Sequence, residues 1–361
     1  MNSEQKNEKR PRVLIADPIA SEGIKLLNSY ASADVQLNLQ PAELLSIIGE
    51  YEGLVVRSET KVTAEVINAG KKLQVIGRAG VGVDNVDVEA ATRRGIVVVN
   101  APTGNSISAA EHTIAMMLAL CRHIPQAHSL LKGGVWERSK FTGIEVKNKI
   151  LGIIGLGNVG AAVAQRAVGL EMKVVGFDPF VSPEYAQRLQ VRLVTMDELL
   201  QESDFITVHV PLLPQTKNMI SEREMAKMKP SARILNVARG GLVNEEALYK
   251  ALEEGRIAGA AIDVFTEEPA RNNILIRSDK VIVTPHLGAS TIEAQTGVAV
   301  DTAEQVIAVL QGKPARYAVN APLIPAELYP IIGPYLGVAL AVGRLVSQLA
   351  EGQMQSIHIQ Y

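Results

Sequence analysis

The segment 150–169 narrows the fold more than any other stretch of this 361-residue chain. Ile150-Leu151-Gly152-Ile153-Ile154 is a short apolar run of the kind that forms a strand covered on both faces. Gly155-Leu156-Gly157-Asn158-Val159-Gly160 follows at once, and an alanine-rich helical stretch runs on to 169. Alone, G-x-G-x-x-G is a weak pattern; between a strand and a helix it has the context of a dinucleotide-binding turn. Gly155 permits the tight turn, Gly157 lets backbone approach a pyrophosphate, and Gly160 lets helix and strand pack closely. The free N–H groups and positive dipole end of the helix then face the phosphates. The next predicted strand ends in Phe177-Asp178-Pro179, and Asp178 lies 18 residues after Gly160. That is near the offset of about 20 residues at which an acid accepts hydrogen bonds from ribose hydroxyls. A carboxylate there repels a 2′-phosphate, which favours NAD over NADP.

The same alternation of short β-branched runs and amphipathic stretches fills most of the chain. Strands are predicted at 13–16, 54–57, 75–77 and 96–100, with helices at 21–29 and 42–48. A long helix follows, with Ser108-x-x-Glu111 as a capping box and an almost wholly apolar stretch from Ala109 to Cys121. Such a helix must be buried in the core or against another subunit. Residues 125–149 form a more polar connector with Gly133-Gly134 and Trp136. A second series has strands at 150–154, 173–177, 205–210, 233–237, 258–264 and 281–284, and helices at 158–169, 197–202 and 244–254. A helix at 291–311 then returns to the first module. This is an α/β chain with two doubly wound parallel sheets, one module inserted into the other. A proline-rich linker is expected at 314–330, then one more helical pattern from 336 and a strand-like end at 356–361.

Composition sets the bounds. The length suits two domains and a fragment of a third. With 47% hydrophobic and 20% charged residues, wholesale disorder is ruled out. Thirty-six basic against 38 acidic residues, a net charge of -2, argue against nucleic acid as partner. Cys121 is the single cysteine, so neither an intrachain disulfide nor a cysteine-based zinc site can form, and a reducing, cytoplasmic compartment is expected. No stretch reads as a signal segment or membrane span.

Six histidines are candidates for proton transfer. His112, His123 and His128 lie in or near the long helix, where structural roles are expected, and His358 sits in the strand-like end. His209 and His286 each follow an apolar strand of the inserted module, where ligands of open α/β sheets collect. Asp263, Glu267 and Glu268 are the carboxylates that could sit beside His286, stabilise its imidazolium and tune it as a general base. Arg57, Arg78 and Arg239 also follow predicted strands. Arginine grips carboxylates and phosphates in bidentate fashion, so three at strand ends point to a small polyanion as ligand.

Several segments together resemble the D-2-hydroxyacid dehydrogenases. They are Gly77-Arg78-Ala79-Gly80-Val81-Gly82-Val83-Asp84, the turn Gly155 to Gly160, His209-Val210-Pro211-Leu212, Asn236-Val237-Ala238-Arg239-Gly240-Gly241, Asp263-Val264-Phe265-Thr266-Glu267-Glu268-Pro269 and Thr284-Pro285-His286-Leu287-Gly288. Arg57-Ser58-Glu59-Thr60 and Asn100-Ala101-Pro102-Thr103-Gly104-Asn105 bring the chain nearer to the members that oxidise 3-phosphoglycerate at the start of serine biosynthesis. The resemblance covers about 12–314. It implies a flavodoxin-like substrate domain, 11–101 with 289–318, interrupted by a Rossmann NAD domain at 102–288, with 319–361 as linker and the start of an intervening domain.

On that resemblance Arg239, Glu268 and His286 are the catalytic set. His286 exchanges the C2 hydroxyl proton, Glu268 orients and charges the imidazole, and Arg239 binds the carboxylate or C2 oxygen. Val81, Gly155, Gly157, Asn158, Val159, Gly160, Asp178, His209, Val210, Pro211, Val237, Ala238, Arg239, Asp263, His286 and Gly288 are expected around NAD, with Asp263 at the nicotinamide amide. Arg57, Arg78, Val81, Gly82, Arg239 and His286 are expected around the substrate. His209 is then not the base. The resemblance also implies a homodimer through the nucleotide-binding domains and cleft closure about Ala101-Pro102 and Leu287-Gly288. Longer members carry further C-terminal domains, one of them regulatory; the chain is therefore expected to break off within an intervening domain and to lack serine feedback. A sibling reductase of glyoxylate, hydroxypyruvate or 2-oxoglutarate, and a non-enzymatic NAD-binding regulator, are the alternatives.

Overall fold

The structure, a computed structural model, describes residues 10–321 and 328–349. Its frame is two wholly parallel sheets. The first contains β1 (Arg12–Ile15), β2 (Ser32–Val35), β3 (Gly53–Val56), β4 (Val75–Arg78) and β5 (Val97–Asn100), in the order β2-β1-β3-β4-β5. The second contains β6 (Ile150–Ile154), β7 (Lys173–Phe177), β8 (Arg192–Leu193), β9 (Phe205–Val208), β10 (Arg233–Asn236), β11 (Gly259–Ile262) and β12 (Val281–Val283). Its order, β12-β11-β10-β9-β6-β7-β8, reverses direction between β6 and β9, the switch point of a doubly wound dinucleotide fold. The first order is the flavodoxin-like one, so both expected sheet types are present.

The strands are short because they are covered on both faces. β3, β9 and β11 are buried at every residue, and separate apolar clusters lie on the two sides of each sheet. β2 and β8 were not legible as strands: Ser-Ala-Asp-Val and Arg-Leu carry neither alternation nor a continuous apolar run, and both are edge strands paired on one side only.

The long helix Ser106–Arg122 packs against the helix Asn158–Gly169 and strands β10 to β12, so its apolar face is core of the second sheet. It begins earlier than the capping-box pattern indicated. Asn105 is the N-cap, and Ser108 lies inside the first turn, where its hydroxyl bonds Thr291. The helix Ile292–Leu310 packs on the helix Ser21–Tyr30 and on β4 and β5, returning the chain to the first sheet. The expected linker starts against the edge of that sheet: Ala318 makes an isolated antiparallel bridge to Val99 of β5, and Asn320 accepts the Val98 N–H at 2.8 Å. A final helix spans Tyr329–Leu349, starting before the predicted 336. The strand-like end at 356–361 lies outside the described residues. Among the described residues no helix is long and apolar enough to cross a membrane.

Candidate functional site

The carboxyl ends of both sheets open on one cleft. A 530 Å³ cavity there is lined from the first sheet's side by Val81, Gly82 and Asp84, and from the second by Gly157, Asn158, Val159, Val210, Arg239 and His286. A connected hollow of 690 Å³ brings Ser58, Lys61 and Arg78 opposite Arg239, Glu268 and His286.

The glycine turn has the geometry that its sequence required. Gly155 has φ 92, left-handed backbone, and a Cβ on it would lie 2.5 Å from the His209 carbonyl oxygen. A Cβ on Gly160 would overlap the Gly155 carbonyl, so helix and turn touch there without a side chain between them. Around Gly157, by contrast, the space a Cβ would enter is empty within 4 Å. The first N–H groups of the helix Asn158–Gly169 have no carbonyl one turn back to bond. Open backbone, unpaired donors and a positive helix end are what a pyrophosphate needs. Asp178, at the end of β7, accepts the Leu156 N–H at 2.8 Å and the Phe180 N–H at 2.9 Å, fixing its carboxylate beside the turn. These residues fit a dinucleotide.

His286 and Glu268 meet. Nδ1 of His286 and Oε2 of Glu268 are 2.7 Å apart, which leaves Nε2 as the nitrogen for a ligand. Burial pushes the Glu268 carboxyl up. Hydrogen bonds from His286 and the Phe265 N–H outweigh that and hold it below the usual carboxylate range. Of the three candidate carboxylates only Glu268 contacts the imidazole; Glu267 is exposed, and Asp263 is wholly buried elsewhere. His286 has φ 56, a left-handed conformation that costs a β-carbon residue energy and is held by its N–H bonding to Asp263 O at 2.8 Å.

Asp263 anchors the segment that carries this histidine. Its Oδ1 accepts from the Thr284 hydroxyl at 2.5 Å and the Leu287 N–H at 2.7 Å, and its Oδ2 from the Gly288 N–H at 2.9 Å. Burial raises its pKa; these bonds and one from His112 lower it further than burial raises it.

His209 behaves differently from His286. It is half-buried at the wall of the cavity; its Nε2 lies 2.9 Å from the Thr207 hydroxyl, and Nδ1 is shielded from solvent with no partner among the described residues. Burial pushes its pKa down to about 4, so it is neutral at pH 7 and a weak base. Position at a strand end alone left the two histidines equal; the neighbouring carboxylate separates them.

The arginines approach one another. Arg239, after β10, donates from Nη1 to Ala238 O at 2.7 Å and pairs through Nε with Asp84 of the facing module at 3.3 Å. Arg78, at the end of β4, has Nε buried without a partner among the described residues, and burial together with Arg239 pushes its guanidinium down to about 10. Arg57 follows β3; its guanidinium reaches the Pro18 carbonyl at 3.5 Å rather than the second hollow. The loop after it is braced by groups that sequence reading missed. Asp17 accepts the Arg57 N–H at 2.6 Å and the Thr60 hydroxyl at 2.5 Å, and Asn85 donates to Arg57 O and Thr60 O at 2.7 Å each. Asp17 had one legible signal, a lone acid at the carboxyl end of a strand. Pro211, Val237 and Ala238 line the first cavity, and so do Pro102, Asn105, Ser106 and Ala289, which were not among the residues expected at the cofactor or the substrate. Among the described residues no cluster of His, Cys, Asp or Glu could hold a metal.

Comparison with known proteins agrees with this geometry. Residues 114–288 match the family described as D-isomer specific 2-hydroxyacid dehydrogenase, NAD binding domain, so the second sheet is an NAD-binding module. A D-3-phosphoglycerate dehydrogenase of Synechocystis is 51% identical over 348 residues, covering 96% of this chain and 63% of that protein. The D-3-phosphoglycerate dehydrogenase of Methanocaldococcus jannaschii is 48% identical over 351 residues, covering 97% of this chain and 67% of its own length. The chain thus spans about two thirds of the curated relatives it matches. Among solved structures, the TT0316 protein of Thermus thermophilus superimposes with a TM-score of 0.79 at 33% identity, covering 85% of this chain and 99% of that one. By sequence and by fold, the chain belongs to the D-isomer specific 2-hydroxyacid dehydrogenase family.

Proposed function

We propose that this chain catalyses the NAD-dependent oxidation of D-3-phosphoglycerate to 3-phosphohydroxypyruvate, the first step of serine biosynthesis. The observation that carries the reading is the 2.7 Å contact of Glu268 with His286 in a cleft that also presents Arg239. The names of the relatives at 51% and 48% identity support the substrate.

Bound NAD supplies the hydride acceptor. Arg239 holds the substrate carboxylate, placing C2 in the cleft. Nε2 of His286 takes the proton of the C2 hydroxyl as the C2 hydrogen leaves with its electron pair, and Glu268 stabilises the imidazolium formed at Nδ1. In reduction the proton returns from Nε2. Val81 and Gly82 present backbone N–H groups to the acid. Arg78 supplies positive charge for a second anionic group, and its buried Nε, unpaired among the described residues, favours such a ligand; Arg57 joins it only when its guanidinium leaves the Pro18 carbonyl for the hollow. Asn158 and Val159 would hold the pyrophosphate of NAD, Asp178 its adenosine ribose, and Asp263 and Gly288 would stand at the nicotinamide end. The substrate lobe is 11–101 with 289–318 and the nucleotide lobe is 102–288. Closure of the lobes excludes water from the reacting atoms.

The active form is a cytoplasmic homodimer joined through the nucleotide lobes. The helix Ile124–Lys132 has no buried residue, and Ile124, Leu131, Val135 and Trp136 expose apolar surface along one arm. Incubating the purified protein with NAD and 3-phosphoglycerate tests the reading through NADH absorbance, with glycerate and 2-hydroxyglutarate alongside. Preference for 3-phosphoglycerate is expected. A preference for an unphosphorylated acid would point to a sibling dehydrogenase, and no turnover on any acid to a binder.

A further inference from the structure

Three residues of the long helix Ser106–Arg122 are spaced four apart and share one face: Ser108, His112 and Met116. Each touches the segment between β12 and the helix Ile292–Leu310, which carries His286. Oγ of Ser108 lies 2.7 Å from Oγ1 of Thr291, the N-cap of that last helix. Nε2 of His112 lies 3.1 Å from Oγ1 of Thr284 and 3.3 Å from Oδ1 of Asp263. Sδ of Met116 is 3.5 Å from the Thr284 hydroxyl. The helix therefore runs as a rail along the segment 284–291, holding both ends while His286 bows into the cleft between them.

The hydrogen bonding fixes the roles. The single Thr284 hydroxyl proton goes to Asp263 at 2.5 Å. His112 must then carry its proton on Nε2, donating to Thr284 Oγ1 and Asp263 Oδ1. Asp263 is fully buried and holds the backbone N–H groups of Leu287 and Gly288, the residues directly after His286. Removing the His112 donor leaves a buried carboxylate short of a partner, and a carboxylate in that state recruits water or shifts, taking the two N–H groups with it.

We propose that His112 and Ser108 are positioning residues for His286: His112 acts through Asp263 on Leu287 and Gly288, and Ser108 acts through Thr291. Neither touches substrate. The inference rests on the reading of His286 as the base, and two readouts keep the two apart.

The variants are His112→Leu, His112→Gln and Ser108→Ala in the whole chain. The first readout is steady-state turnover of 3-phosphoglycerate with NAD. Sub-ångström displacement of a catalytic base lowers kcat more than KM, so His112→Leu should lose about tenfold or more in kcat with KM for the acid changed less. His112→Gln can donate one neutral N–H from a similar position and should recover most of that loss. Ser108→Ala should show a smaller loss of the same kind. The second readout is amide hydrogen exchange at Leu287 and Gly288, which needs no activity. It should speed up in His112→Leu and return towards the parent in His112→Gln.

Turnover of His112→Leu within about twofold of the parent, or a loss that Gln does not restore, would overturn the role. So would unchanged exchange at Leu287 and Gly288. If the parent turns over no 2-hydroxy acid, the functional reading fails, and exchange alone then decides whether His112 holds the segment.

Discussion

His209 gives the sharpest quantitative prediction. Its imidazole is half-buried at the cavity wall, and desolvation there pushes its pKa from 6.5 down to about 4. The folded protein refuses a proton that the unfolded chain accepts. The stability this neutral imidazole carries is complete above pH 6.5, declines as pH falls through that value, and is fully lost below about pH 4. A shift of about 2.5 units at 1.36 kcal/mol per unit gives a full loss of about 3 kcal/mol, most of it gone by about pH 4.5. Replacing the residue by Gln keeps a polar partner for Thr207 and removes the titration. Urea unfolding followed by circular dichroism at about pH 7.5 and pH 4.5 isolates the effect, because the other titrating groups are common to both proteins. The parent should lose about 2–3 kcal/mol more than His209→Gln over that interval. Equal losses would refute the argument, and would mean that His209 reaches water or a counter-charge in the folded state.

Three further outcomes follow from the site. Glu268→Gln removes the carboxylate 2.7 Å from His286, and kcat should fall by about 10²-fold with NADH affinity retained; full activity would dismiss Glu268 as the partner of the base. Asp84→Asn breaks the cross-cleft pair at 3.3 Å and frees Nε of Arg239 for a substrate carboxylate, so KM for the acid should fall by about two- to fivefold; a raised KM would mean that Asp84 orients Arg239 instead. Asp178→Ser removes the carboxylate beside the glycine turn and should weaken the preference for NAD over NADP by about tenfold, measured as the ratio of kcat/KM; an unaltered ratio would remove Asp178 from the ribose.

How much could be read in advance depended on whether the physics was local. The turn at Gly155 was legible because a positive φ and a close backbone approach each exclude a side chain, and that requirement is written in the residue itself. Strands covered on both faces were legible for the same reason, since burial selects continuous apolar runs. β2 and β8 were not, because an edge strand of polar residues is defined by its neighbour. Ser108 illustrates the opposite failure. Its spacing to Glu111 imitates a helix start, yet the chain enters the helix at Ser106 and the hydroxyl serves a residue 183 positions away.

The alternating pattern, the glycine turn and the composition were enough to dictate two parallel sheets and a dinucleotide site, because periodicity and backbone sterics act over a few residues. The partnership of Glu268 with His286 was expected from the family resemblance, and the structure added its 2.7 Å distance; the desolvation that keeps His209 neutral, the Asp84–Arg239 pair and the grip of His112 on Asp263 came only with the folded chain. Each depends on a distance of a few ångströms or on exclusion of water between groups far apart in sequence, and neither quantity exists until both sheets are packed.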